Sequence, residues 1–305
     1  MKKTLVTVAA VALGLAAFVT TERGAGSAKT RLAIAIGLNS VDPAAYTDGE
    51  GKPWSGELRG CENDADAMLA IAHAQGYETI ALKTAAATRP AVRDALKAAA
   101  QKLKAGDTLV LSYSGHGGQV RDTNGDEADG LDETWCLYDG EMVDDELAVC
   151  WSKFQPDVRI VVYSDSCHSG SVIKTYEANA EAKGTAPTER FRIMPDRVAE
   201  KLRALPAHQD LDKGMASERT SRGQTKASVI LISGCQDDQL SGDGDQNGWF
   251  TEHLLKVWNN AAFRGSYWDF YQAIRKTMPS SQKPNFDRTG KQSSAFEAER
   301  PWLSR

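Results

Sequence analysis

Apolar residues along the chain gather in short β-branched runs, separated by stretches with helical spacing. Leu32–Leu38 (L-A-I-A-I-G-L), Thr79–Leu82, Asp107–Tyr113 (D-T-L-V-L-S-Y), Ile160–Tyr163 and Ser228–Ser233 (S-V-I-L-I-S) each read as a strand. In Leu32–Leu38, Asp107–Tyr113 and Ile160–Tyr163 the nearly continuous apolar character, rather than strict alternation, marks buried strands, as in a parallel sheet. Between them, Glu62–Ala74 carries Ala65, Met68, Leu69 and Ala72 on one helical face, and Thr88 caps a predicted helix through Leu103. Asp144 opens a short helix to Trp151, Phe250–Asn260 and Tyr267–Met278 are amphipathic, and Gln282–Asp287 is a candidate last strand. The alternation predicts an α/β fold with a mostly parallel central sheet and helices on both faces.

Three stretches depart from this rhythm. Residues 121–147 are acidic, and composition alone reads them as a solvated loop. Residues 173–226 are poor in large apolar side chains and predict an exposed insertion with one helix, Arg197–Leu205. At the start, Lys2 and Lys3 precede the 15-residue apolar run Leu5–Val19, and Gly26, Ser27 and Ala28 offer small residues for cleavage. That is the pattern of a signal peptide over 1–28, leaving 29–305 as one exported domain, periplasmic or extracellular. An N-terminal anchor is the alternative, although the run is shorter than the ~20 residues that span a bilayer.

Charged residues make up 25% of the chain and the formal charge is −5, so a nucleic-acid partner is not expected. No Gly-rich phosphate loop, C-x-x-C pair or H-E-x-x-H occurs, which removes sequence support for nucleotide or zinc chemistry. The five cysteines, Cys61, Cys136, Cys150, Cys167 and Cys235, are an odd number, so at least one thiol stays free. Cys136 and Cys150 could pair across their short loop; sequence does not decide it.

Two of the strands stop in reactive residues. The run ending at Tyr163 exits into S-D-S-C-H-S-G with Cys167 just beyond it, and the run ending at Tyr113 exits into S-G-H-G-G with His116 at the tip. A lone cysteine is usually an inert small hydrophobe, but polar neighbours on both sides argue against apolar burial here. Ligands of open α/β sheets bind beyond the carboxyl ends of the strands. A thiol and an imidazole presented there form a nucleophile and base.

S-G-H-G-G at 114–118 and D-S-C-H-S-G at 165–170 resemble the two catalytic signatures of the metacaspases and their bacterial caspase-like relatives. G-C-E-N-D-A at 60–65 and S-G-C-Q-D-D-Q-L-S at 233–241 are similar to further family segments, and the resemblance runs from about Arg31 to Phe286. It implies a caspase-like α/β/α sandwich and a cysteine endopeptidase, generally monomeric. Cys167 is then the nucleophile and His116 the general base, with His168 as a rival whose side chain should diverge from its neighbour. The backbone amides of Gly117 and Cys167 are the expected oxyanion donors.

The resemblance also places carboxylates in the pocket for the residue before the cut. They correspond to Asp64 and Asp165, with Ser114 at the border and Asp238 as a weaker contributor at the rim. Two carboxylates there favour protein or peptide substrates with Arg or Lys; helix capping or a pair with Arg59 is the structural alternative for Asp64. Many metacaspases bind calcium through acidic residues, and Asp132, Asp144 and Asp145 are the best matches. The position of a further family Asp is taken by Lys174, whose ammonium can neutralise those carboxylates without a metal, so calcium is a candidate cofactor and none is required. The many Lys and Arg of 173–226, among them Lys183, Arg190, Arg192, Arg219 and Arg222, make that insertion a candidate for self-cleavage. A catalytically silent binding module and a legumain-like or clostripain-like hydrolase are the competing readings.

Overall fold

The computed structural model describes residues 29–48, 50–122, 125, 130–167, 190–204, 225–236 and 239–303. Its centre is a six-stranded sheet of β1 (Arg31–Gly37), β2 (Glu78–Lys83), β3 (Thr108–Ser114), β7 (Arg159–Asp165), β9 (Ser228–Ser233) and β11 (Asn285–Gly290), in the spatial order β11-β9-β7-β3-β1-β2. All neighbours are parallel except the antiparallel edge strand β11. The last strand starts three residues later than Gln282. Pro284 lacks a ladder N–H, and Gln282 instead turns its side chain inward.

Alternate residues of the central strands feed two cores, as the strand period requires. Leu32, Ile34 and Ile36, Leu109 and Leu111, and Ile160 and Val162 point to one face. There they meet α2 (Arg89–Lys102) through Val92 and Leu96, and α3 (Asp144–Ser152) through Leu147 and Trp151. Ala33, Val110, Val161 and Tyr163 point to the other face, against α1 (Cys61–Ala74). The helices α5 (Trp249–Trp258) and α6 (Tyr267–Thr277) complete that layer. Local signals set the helix starts. The Thr88 hydroxyl accepts from Ala91 N at 3.3 Å, and Ser266 and Asp269 form a reciprocal capping box at α6.

The acidic stretch is not a solvated loop throughout. It contributes β5 (Leu131–Leu137) and β6 (Gly140–Val143) to an antiparallel sheet with β4 (Gly117–Arg121). Asp132 and Thr134 in β5 are buried, so polar residues occupy inward positions and hide the strand from a hydrophobicity pattern. The insertion is likewise not wholly exposed. Arg190–Phe191 form β8, paired antiparallel with β10 (Gly242–Asp243), and Arg192, Ile193 and Met194 are buried. The helix α4 (Asp196–Ala204) follows and anchors Val198 and Leu202 beside Val41, Tyr46 and Met194.

Candidate active site

Parallel pairing of β3 with β7 sets Ser114 opposite Asp165. His116 and Cys167 each lie two residues past that pair, so both come off adjacent strands at the same end of the sheet. Tyr113, stacked on Trp135 at 4.4 Å between ring centroids, donates its hydroxyl to His116 O at 2.6 Å and fixes the turn beyond β3. The imidazole packs against Trp54, 4.8 Å between centroids. His116 Nε2 lies 3.0 Å from the carbonyl oxygen of Gly56, an acceptor only, so this nitrogen carries the proton. Nδ1 is thereby left as the basic nitrogen, buried and without a hydrogen bond among the described residues. Burial pushes the imidazole down to about 4, against the opposing pull of the Gly56 carbonyl and Asp243. Gly56 has φ +55°, a conformation that favours glycine, and a Cβ there would sit 3.1 Å from His116 Cδ2.

Against the expectation from its polar neighbours, Cys167 is fully buried, because the 190–194 segment lays Ile193 over it beside Cys235 and Leu240, and its Sγ accepts a hydrogen bond from Ser241 N. No disulfide links any two of the five cysteines, Cys136 and Cys150 included.

Asp64 and Asp165 come together at one slot. Asp64, on the first turn of α1, accepts from Ser114 Oγ at 2.6 Å, Asn247 Nδ2 at 2.8 Å and Gly248 N at 3.1 Å. Asp165, the last residue of β7, accepts from Ser241 Oγ at 2.6 Å and Thr251 Oγ1 at 3.0 Å. Asp64 does not cap its own helix, since α1 has no side-chain cap, and Arg59 pairs instead with Asp245 at 3.1 Å. Gln282 closes the floor, its Nε2 donating to Ser241 Oγ at 2.8 Å and Gly234 O at 2.9 Å.

The slot is filled by the chain's own Arg192. Its guanidinium lies 2.7 Å from Asp64 Oδ2, 2.9 Å from Asp165 Oδ2 and 3.1 Å from Asp243 Oδ1, and donates to Ser114 Oγ at 2.6 Å. Burial opposes this charge, yet Asp165, Asp64 and Asp243 hold the guanidinium more firmly protonated than usual. Burial pushes the Asp64 carboxyl up while Arg192 pulls it down. A Cβ on Gly248 would lie 2.4 Å from Arg192 Cζ, so glycine here keeps the slot open.

The backbone of the same residue is equally placed. Arg192 O accepts from Gly117 N and from Cys167 N, both at 3.0 Å, and Arg192 N donates to Ser241 O at 3.0 Å. Ile193 follows alongside the imidazole and bridges Gly117, with Met194 N donating to Gly117 O at 2.8 Å. The segment 190–194 is therefore an extended strap with a basic side chain in the acidic slot and its carbonyl between two fixed amides. Such an arrangement can polarise a peptide carbonyl toward a thiolate.

Sequence reasoning missed Gly56, Asp243, Gly248 and the depth at which Arg192 lies. The first acts through its carbonyl and the third by lacking a side chain, neither of which leaves a motif. Asp132 in β5 runs toward Asp144 and Asp145 in the first turn of α3. Among the described residues, however, no group of three or more His, Cys, Asp or Glu is arranged to hold a metal ion. His168, Lys174, Lys183, Arg219, Arg222 and Asp238 lie outside the described residues, as do 1–28. No helix among the described residues is long and apolar enough to cross a membrane.

The family profile named caspase domain matches residues 30–302, so the chain belongs to the caspase-domain family of cysteine peptidases. Within that family it resembles metacaspases. It is 30% identical over 282 residues to metacaspase-1A of Aspergillus oryzae, covering 83% of this chain and 62% of that protein. It is 35% identical over 248 residues to metacaspase-1A of Neurospora crassa, covering 70% and 51%. The chain thus spans less than two thirds of the length of these relatives. The crystal structure of protein GSU0716 from Geobacter sulfurreducens superimposes with a TM-score of 0.77 at 47% identity, covering 90% of this chain and 98% of that one.

Proposed function

We propose that this chain is a cysteine endopeptidase that cuts after Arg or Lys, and that its first substrate is its own Arg192–Ile193 bond. The observation that carries the reading is Arg192 itself, with its guanidinium among three carboxylates and its carbonyl shared by Gly117 N and Cys167 N. Caspase-domain membership supports the peptidase class.

In this mechanism the Cys167 thiol gives its proton to His116 Nδ1 and the sulfur attacks the carbonyl carbon of the basic residue. The carbonyl π pair moves onto oxygen, where the two amides stabilise it. Collapse breaks the C–N bond, His116 returns the proton to the departing amine, and a thioester remains on Cys167. Water then adds with His116 as base, releasing the carboxylate product and the thiol. Leaving the carboxylates of the slot without a cation costs on the order of 3–5 kcal/mol. Arg and Lys side chains are therefore favoured and Asp is repelled.

The two-lysine, apolar N-terminal stretch supports export of the mature enzyme, and N-terminal sequencing of secreted material should begin at Lys29. The direct test of the chemistry uses fluorogenic peptides ending in Arg, Lys, Asn or Asp. Turnover restricted to Arg and Lys, lost after alkylation of Cys167, is expected. Preference for Asn would favour a legumain-like hydrolase, and no turnover with an intact thiol would favour a binding module.

A further inference from the structure

The strap engages more than one acidic position. Arg190, two residues before Arg192, is set directly opposite Asp243 by the antiparallel β8–β10 register. Its Nε lies 3.5 Å from Asp243 Oδ2, and Nη2 lies 3.6 Å from Asp245 Oδ1. Asp243 is buried and held rigidly, accepting from Arg59 N at 2.8 Å and Gly60 N at 3.1 Å. One of its oxygens faces Arg192 and the other Arg190. Asp245 is largely exposed and also meets Arg59. Between the two arginines, Phe191 packs toward the apolar cluster of Cys167, Ile193, Cys235 and Leu240.

We infer that Asp243 and Asp245 form a second specificity subsite, which reads an Arg or Lys two positions ahead of the basic residue at the cut. The inference rests on the reading of Arg192 as substrate. It adds to that reading a substrate class, segments of the form basic–apolar–basic. Cross-strand opposition delivers the residue two before the cut to Asp243 in any peptide that pairs with β10 as the strap does. Asp243, buried and charged toward both side chains, couples the two subsites. Asp245 adds a screened, outer attraction that weakens with salt.

The test compares kcat/KM of the enzyme on Arg-Phe-Arg, Ala-Phe-Arg and Glu-Phe-Arg fluorogenic peptides at low and high salt. The expected order is Arg over Ala by roughly five- to tenfold and Glu lowest, narrowing at high salt. In Asp245→Asn the Arg-to-Ala ratio falls, because the outer attraction is gone, while Asp243 keeps it above one. The full-length chain gives a second readout that needs no added substrate. Arg190→Ala slows appearance of the fragment ending at Arg192 by a similar factor, and Arg190→Lys restores most of the rate. Equal turnover of the three peptides, or an unchanged ratio in Asp245→Asn, overturns the subsite while leaving the basic residue at the cut intact. Failure to turn over any of the three while an Asn- or Asp-ended peptide is cut overturns the underlying reading instead.

Discussion

Two arginine–carboxylate clusters among the described residues are built differently. At the α2–α3 contact, buried Glu146 is bound by Arg89 at 2.8 Å and approached by Arg93 at 3.3 Å. Both arginines come from a helix that packs there through its apolar face, and both remain partly open to solvent. At the strand tips, Asp64, Asp165 and Asp243 enclose one arginine completely. That arginine comes from a short strap whose carbonyl sits on two backbone amides. Ion pairing alone therefore does not mark a functional site. What distinguishes the second cluster is space kept open by Gly248, carboxylates supported by hydroxyl and amide donors, and a peptide bond aligned with a thiol-bearing strand end.

Substitutions separate the two clusters. Asp165→Asn, at the strand-tip cluster, should lower kcat/KM on Arg-ended peptides on the order of 100-fold or more, because it removes a buried charge facing the guanidinium. A loss of less than threefold would reduce that cluster to a structural ion pair like its counterpart.

The second prediction concerns pH and the uncut Cys167→Ala chain. Unfolded His116 takes up a proton near 6.5, whereas the folded ring stays neutral until about pH 4. The unfolded state thus binds more protons in this window, and stability falls as pH drops from about 6.5 to about 4. The loss is about 3 kcal/mol at most. Asp64, whose carboxyl is raised by burial, acts with the opposite sign. His116→Gln in the same background should therefore remove the acid-side loss, read as Tm against pH. Identical pH profiles for the two chains would mean that the imidazole is not held neutral.

Gly248→Ala should cut turnover of Arg-ended peptides by roughly 10- to 100-fold, since the added methyl meets the guanidinium carbon. Smaller cations should suffer less. Glu146→Gln, at the other cluster, should cost about 1–3 kcal/mol of stability by denaturant unfolding and leave the Arg-over-Asp preference unchanged. A shift in that preference would join the two clusters functionally and undo the contrast.

How much of this was legible in the sequence follows the same division. The central strands were, because runs buried on both faces carry few polar interruptions, Ser112 in β3 being one, and the tips bearing His116 and Cys167 follow from where those runs end. Asp64, Ser114 and Asp165 came from segments similar to a family rather than from periodicity. The β5 strand was not legible, since Asp132 and Thr134 point inward where apolar residues are expected. Nor was the strap. A charged residue is almost never fully buried unless paired, and Arg192 stands among the many Lys and Arg of 173–226, with nothing in its residue type to set it apart. The only local sign was a small apolar island, Phe191, Ile193 and Met194, around it. Asp243 and Gln282 gained their roles from distant segments meeting at the slot.

The central claim is that Arg192–Ile193 lies in its own active site as a bond to be cut. Mass spectrometry of the full-length chain after incubation reads this directly, across a range of protein concentrations. The account predicts one fragment ending at Arg192 and one beginning at Ile193, formed at a rate independent of concentration and absent in Cys167→Ala and Arg192→Ala. A first cut at another site with Arg192–Ile193 left intact, or the same fragments from Cys167→Ala, would contradict it.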